Sequence, residues 1–175
     1  MRAINVPGHA VVTMSDVRDA FAAAGCAKVR TCIQSGNVIF EPRARDTAEI
    51  LQEVRGTLRT VLGEEPDIFL RTVHELERIV NSAPFKDVEA EPGTKLYIAL
   101  LSRTPRPMPR FPLVSSKEAL EAIAMSGREV FIVSRRKKNG FFGFPNNFIE
   151  QELGVTATSR NWSTITKIVE LVRRA

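Results

Sequence analysis

The sequence predicts an α+β protein in which one small folding unit is used twice, and three observations lead there. Arg71-Thr72-Val73-His74-Glu75-Leu76-Glu77-Arg78-Ile79-Val80 reads against Arg160-Asn161-Trp162-Ser163-Thr164-Ile165-Thr166-Lys167-Ile168-Val169 at an ungapped offset of 89 residues. Ser35-Gly36 recurs as Ser126-Gly127 at an offset of 91, and each pair precedes an apolar run, Val38-Ile39-Phe40 in one case and Val130-Phe131-Ile132 in the other. Strand-like and helix-like periodicities alternate along both halves. A recurrence this long is the signature of a repeated supersecondary unit rather than of a binding motif.

The elements of the first half follow in order. Ala3-Ile4-Asn5-Val6 reads as a short strand. Ser15 is placed to cap a helix whose apolar positions Val17, Phe21 and Ala24 share one face and which Gly25 ends. Residues 29–34 and 37–41 read as two strands about a tight Ser35-Gly36 turn. Asp46 caps a second helix carrying Ile50, Leu51, Val54, Leu58, Val61 and Leu62, with Gly63 just past its end. Residues 67–71 read as a fourth strand. Thr72 and Glu75 then form a capping box, hydroxyl and carboxylate each satisfying one orphan amide, at the head of a helix that stops before Pro84. This β-α-β-β-α-β order, plus a helix, is the split βαβ or ferredoxin-like arrangement.

The second half reads as a degenerate copy. Residues 95–101 form its first strand, and Leu96 to Leu101 is an apolar run of six that suits burial in a sheet. Prolines at 105, 107, 109 and 112 remove amides and clash with a preceding turn, so no helix is expected there. Residues 120–125 and 129–133 make a hairpin about Ser126-Gly127, 146–153 a short helix ended by Gly154, and 155–159 the last strand. Asn161 is placed to cap the final helix, and Arg173 and Arg174 sit at its negative end, where cations are favoured. The expected fold is therefore two tandem ferredoxin-like subdomains with mostly antiparallel sheets and helices on one face, spanning 1–84 and 94–175 with a Pro-, Gly- and acid-rich linker over 85–93.

Composition narrows the function classes. At 175 residues, with 43% hydrophobic and 26% charged, the chain has the profile of a soluble globular protein that buries roughly 70% of its unfolded surface without staples. Its longest apolar run is far too short to span a bilayer, and no charged segment followed by an apolar stretch opens it, so neither membrane insertion nor a signal peptide is expected. Two cysteines, Cys26 and Cys32, make neither a disulfide framework nor a zinc box, which points to the reducing cytoplasm. Charge is uneven: 11 Lys/Arg face 14 Asp/Glu over residues 1–92, a balance of −3, whereas 14 face 6 over 93–175, a balance of +8. A basic half of this kind can attract nucleic acid or an acidic partner.

Enzymatic signals are thin. His9 and His74 are the only histidines, His74 lies within the capping box, and no zinc-protease, phosphate-loop or paired-cysteine spacing is present, so the reading leans away from an enzyme and expects no catalytic residue, metal or cofactor. Split βαβ topology brings Asn5, Gly8 and His9 to the same sheet edge as Gln34, Ser35, Gly36 and Asn37. Asn5, His9, Gln34, Ser35 and Asn37 are thereby candidates for a small ligand or sugar phosphate, although tight turns and strand-end caps account for these residue types more simply. Arg135-Arg136-Lys137-Lys138, the densest basic run, and Arg160, beside Trp162, are candidates for nucleic-acid contact. The Lys138-Asn139-Gly140-Phe141-Phe142-Gly143-Phe144 string has the basic-glycine-aromatic flavour of RNA-recognition strands, but its spacing is interrupted and it follows a hairpin, so core-packing phenylalanines are the expectation there. Trp162 aligns with Val73 and is expected to pack against the sheet. The leading expectation is a non-enzymatic binding module for nucleic acid through the basic half. The alternatives are a small-ligand site at the polar edge and a homodimer through an incompletely covered sheet face.

Residues 2–9, Met14, Val17-Arg18 and Ile33-Gln34-Ser35-Gly36-Asn37-Val38-Ile39-Phe40 resemble the opening of the bacterial domain of unknown function 1697 family. Leu153-Gly154-Val155, Ala157-Thr158, Arg160-Asn161-Trp162, Thr164, Thr166 and Lys167 resemble its closing motif. The resemblance implies two tandem ferredoxin-like subdomains and no established reaction, substrate or cofactor. This chain departs from the family pattern in three ways. Family members usually carry several residues of strand before the Arg that matches Arg2, whereas this chain starts there, which would shorten the first strand. It has Ala3 and Pro7 where glycines are usual, which weakens a backbone-cradled ligand there. Its Pro-rich 104–112 segment stands in for a helix.

Overall fold

The computed structural model describes residues 12–32, 36–43, 46–89 and 91–174. The chain forms two compact units, Met1–Ile68 and Phe69–Ala175. In the first, helix α1 (Met14–Ala23) is followed by strands β1 (Cys26–Cys32) and β2 (Asn37–Pro42) and helix α2 (Thr47–Leu62). The helix begins two residues earlier than Ser15 implies. Thr13 is the cap: its hydroxyl accepts from the Asp16 amide at 3.1 Å, and the Asp16 carboxylate accepts from the Thr13 amide at 2.8 Å, while Ser15 Oγ donates to Asp19 instead. The Thr13 hydroxyl, which donates to Asp16 Oδ2 at 2.7 Å, and after it the Thr13 amide hold the Asp16 carboxyl below its usual pKa. Val17, Ala20 and Phe21 form the buried stripe of α1, and Phe21 meets Phe40 of β2 at 4.9 Å between ring centroids.

Strands β1 and β2 pair antiparallel, with a bulge between Ala27 and Arg30 where Lys28 adopts a φ of 48°. Both cysteines are buried thiols outside any disulfide, packed as small hydrophobes are. Asp46 caps α2 through the Ala48 amide, and Gly63 closes it in the left-handed conformation, φ 76°, that glycine adopts without a Cβ clash. Ile50, Leu51, Val54 and Leu58 supply its buried face, each worth about 1.5–3 kcal/mol of transfer free energy. The strand expected at 3–6 lies outside the described residues. The strand expected at 67–71 joins no ladder among the described residues and runs as irregular backbone into the next helix. A strand is defined by its partner, and the partner that a split βαβ order gives this segment is the first strand.

The second unit holds α3 (Val73–Asn81), β3 (Thr94–Leu101), β4 (Leu113–Ser115), β5 (Leu120–Ser126), β6 (Glu129–Arg135), α4 (Pro145–Leu153), β7 (Ala157–Asn161) and α5 (Trp162–Arg173). Its five strands lie in the order β4-β5-β6-β3-β7 with every neighbouring pair antiparallel. The β5–β6 hairpin turns at Gly127, φ 62°, and lies against β3, while β7 returns to the other side of β3. The sequence reading did not include β4. It is a three-residue edge strand emerging from the Pro-rich segment. No helix forms over 104–112, as the prolines require, and Phe111 from that segment packs against the core.

Central strand β3 is buried on both faces from Tyr97 to Leu101, so both faces must be covered. Tyr97, Ala99, Leu101, Ala122, Val130 and Ile132 pack beneath Phe148, Ile149 and Leu153 of α4. On the opposite face Phe131 meets Phe85, which in turn meets Trp162 at the head of α5, with centroids 5.8 and 5.2 Å apart and edge-on geometry. The expected placement of helices on one face is thus corrected: α4 takes one side of this sheet and α5, with α3 packed on it, takes the other. Phe85 belongs to the segment expected as a linker, and it is buried.

Candidate functional site

Two arginines flank the recurring helices, and the structure engages both in the fold. The Arg71 side chain is 3% exposed and forms an ion pair with Glu129 at the start of β6. Its remaining donors reach the backbone carbonyls of Leu70, Leu101 and Arg128 at 2.7, 3.0 and 3.2 Å. A guanidinium satisfied on this many sides is a structural clamp between the lead-in to α3 and the sheet. Arg160, a nucleic-acid candidate, turns back on its own strand and donates through Nη1 to Thr158 Oγ1 and to the Ser159 carbonyl, each at 2.8 Å. Burial draws its pKa down from the ordinary arginine value. Trp162 is half-buried against Phe85, in line with the packing role read from the repeat.

The basic run splits by the alternation of the strand. Arg135 pairs with Glu121 at 2.9 Å and borders a cavity of about 380 Å³ lined also by Asp87, Glu89, Glu91 and Thr94. Those carboxylates make that side unfavourable for phosphate. Lys137 pairs with Glu118 at 3.0 Å. Arg136 turns the other way. Its guanidinium carbon lies 5.9 Å from the Phe142 centroid, and Lys95 Nζ lies 4.1 Å from the same ring. Lys95, Arg136 and Lys138 are exposed and pair with no carboxylate among the described residues.

The segment after β6 is an ordered extension of the sheet. Arg136 and Phe142 form an antiparallel bridge, the Lys137 amide donates to the Phe141 carbonyl at 2.8 Å, and the Gly140 amide donates to the Lys137 carbonyl at 2.9 Å. Asn139 Oδ1 accepts from the Phe141 amide at 3.1 Å. The result is a small hairpin tip presenting Lys138, Asn139, Gly140 and Phe141. Ser134 Oγ donates to the Gly143 carbonyl at 3.2 Å, and a Cβ at Gly143 would collide with the Glu118 carbonyl, so only glycine lets this segment lie so close to its neighbour.

The expectation of core-packing phenylalanines fails at two of the three rings. Phe141 is 71% exposed and Phe144 59% exposed, while Phe142 is half-buried beneath Lys95 and Arg136. The residues between β6 and α4 are too few to carry every ring back over a sheet face that α4 already covers. Phe144 instead rests edge-on against buried Tyr97 with centroids 6.2 Å apart. Burial raises the Tyr97 hydroxyl above its usual pKa, so it stays neutral beneath that ring. The extension between β6 and α4, with Lys95 beside it, thus carries exposed basic and aromatic side chains on one short segment. Lys95 and the exposure of the two rings had no signal in the sequence pattern.

Of the polar-edge candidates, Asn5, His9, Gln34 and Ser35 lie outside the described residues. Asn37 opens β2, and its Nδ2 donates to the Cys32 carbonyl at 3.2 Å, a bond that closes the hairpin. His74 is exposed on the first turn of α3. Among the described residues no group of three or more His, Cys, Asp or Glu side chains is arranged to hold a metal ion, and no helix is long and apolar enough to cross a membrane.

No curated protein and no solved structure matches the chain. The family model described as Protein of unknown function (DUF1697) matches residues 1–131, well over half of the 175 residues, and the chain accordingly belongs to the DUF1697 family.

Proposed function

We propose that this protein is a non-enzymatic nucleic-acid-binding module whose contact surface is the extension between β6 and α4 together with Lys95 at the start of β3. The observation that supports the reading is the occurrence, on one short segment with Lys95, of two solvent-exposed phenyl rings and three cations with no carboxylate partner among the described residues, in the half of the chain that carries a net charge of +8. Exposed rings on a tied-down backbone are unfavourable in water unless something covers them. Cations around them favour an anionic occupant, and the combination suits a polymer of phosphates and planar bases. The reading retains Arg136 and Lys138 from the original candidates and assigns Arg135, Lys137 and Arg160 to structural pairing. It also takes the hairpin-against-β3 strand order and the 89-residue recurrence as marks of a duplicated split βαβ unit, a sheet type suited to presenting such a surface.

Anisotropy titrations of labelled RNA and DNA oligomers at a series of salt concentrations test it. Phosphate neutralisation predicts a linear fall of log affinity with log salt, and Lys138→Ala lowers the steepness of that line by about one ion's worth. Flat anisotropy at low salt for every oligomer would end the proposal.

A further inference from the structure

Resting on the nucleic-acid reading above, we infer that the strand this surface takes is single, with bases stacked on Phe141 and Phe144 and the backbone phosphates running past Lys95, Arg136 and Lys138. Four observations lead to that choice. The exposed groups are flat rings rather than hydrogen-bonding side chains, and a ring face can reach a base only when the base is out of its duplex stack. Neither ring hangs on a mobile stem. Phe141 follows a turn closed by the Lys137, Gly140 and Asn139 bonds, and Phe144 rests on the edge of Tyr97. The backbone under Phe141 and the ring of Phe144 are therefore held in place, which lowers the ordering cost of stacking on them. Next, the surface offers no helix for a major groove, because the nearest helix, α4, begins at Pro145 and turns its Phe148 and Ile149 into the core. Finally, the cations Lys95 and Arg136 sit over the half-buried Phe142 ring, which sets positive charge on the same short segment as the two exposed rings.

Phenyl rings carry no donors or acceptors, so the recognition is tolerant of base identity and of ribose against deoxyribose. It separates single strands from duplexes instead. Contact of this kind predicts modest preferences among homopolymers and a strong one for the unpaired state.

The test uses the full chain with single-stranded RNA, single-stranded DNA and a blunt duplex of equal length, titrated by anisotropy at one fixed moderate salt concentration. Single strands are expected to bind at least tenfold more tightly than the duplex. Phe141→Ala and Phe144→Ala are each expected to weaken single-strand binding about tenfold, because each removes one stacked base. Duplex binding should change less than twofold in the same variants. Phe141 is exposed, so its variant should keep the wild-type melting temperature, while the Phe144 variant, which loses its edge contact with Tyr97, is titrated at a temperature where circular dichroism shows it fully folded. Lys138→Ala separates the two levels, since it should weaken single-strand and duplex binding alike. Equal affinity for the duplex, with Phe variants that bind as the wild type does while Lys138→Ala weakens both, would overturn the single-strand inference and leave the nucleic-acid reading standing. No binding to any of the three would overturn both.

Discussion

The lead-ins to α3 and α5 share a sequence spacing and differ in chemistry. Both helices start at the same point of the 89-residue recurrence: Thr72 and Asn161 are the caps, and Val73 and Trp162 the first helical residues. Around Thr72 the capping box is complete, with the Glu75 amide donating to Thr72 Oγ1 at 3.1 Å and the Thr72 amide donating to Glu75 Oε2 at 2.7 Å. Asn161 makes no side-chain cap bond, and the position matching Glu75 is Thr164. Arg71 engages a buried carboxylate, whereas Arg160 bonds the strand that carries it. The recurrence therefore sets where the backbone turns into helix, and local side chains decide how firmly each turn is held. The first lead-in is held by capping and an ion pair. The second is held by packing, through Trp162 against Phe85 and through Ile165, Ile168 and Val169 in the core.

The largest effect expected from that contrast is at Arg71. Arg71→Met leaves Glu129 buried without its counter-charge and should lower unfolding free energy by about 3–5 kcal/mol, measured by urea denaturation. Combining it with Glu129→Leu removes the stranded charge, so the double variant should be more stable than Arg71→Met alone. A double variant less stable than the single one would mean that Glu129 acts through the bond it accepts from the Arg128 amide and is not a stranded charge.

Next in size are the caps. Thr72→Ala should cost about 1 kcal/mol, whereas Asn161→Ala should cost only a few tenths, because no side-chain bond is lost there. Equal losses at the two sites would erase the distinction.

The smallest effect is on the acid limb of stability. The backbone bond from Thr72, helped by its hydroxyl and by the Arg71 and Arg128 charges, holds the Glu75 carboxyl below its ordinary value of 4.5. A carboxylate whose folded pKa is depressed contributes stability that is complete above the unfolded value and lost as pH falls through the folded one. Glu75→Gln should therefore flatten the stability profile below about pH 4.5 and leave the slope near neutrality unchanged. Thr164→Val, at the matching position, should not alter that slope at all.

The same contrast explains what was legible in advance. Caps with a local signature, such as Asp46, the Thr72–Glu75 box and the closing glycines Gly63 and Gly154, could be read because their bonds span two to four residues. The Ser126-Gly127 hairpin was legible for the same reason. Thr13 was overlooked in favour of Ser15 because both are hydroxyl residues near the first apolar position, and only the reciprocal Asp16 bond distinguishes them. Features that depend on distant partners did not show. Strand β4 is too short for a periodic pattern, and two-sided coverage of the second sheet depends on where α3, α5 and Phe85 dock. The exposure of Phe141 and Phe144 is the clearest case. Phenylalanine is usually interior, and nothing in the string from Lys138 to Phe144 reveals that the adjacent sheet face is already occupied by α4. Within the basic run, only the strand register shows that Arg135 faces Glu121 while Arg136 faces Phe142.

Amide chemical-shift mapping by NMR, with an unlabelled single-stranded oligonucleotide titrated into the isotope-labelled chain, tests the functional account most directly. The account predicts progressive shifts concentrated at Lys95 and residues 136–144, with Arg160 and the Arg71–Glu129 clamp unmoved. Shifts centred elsewhere while residues 136–144 stay still would contradict it.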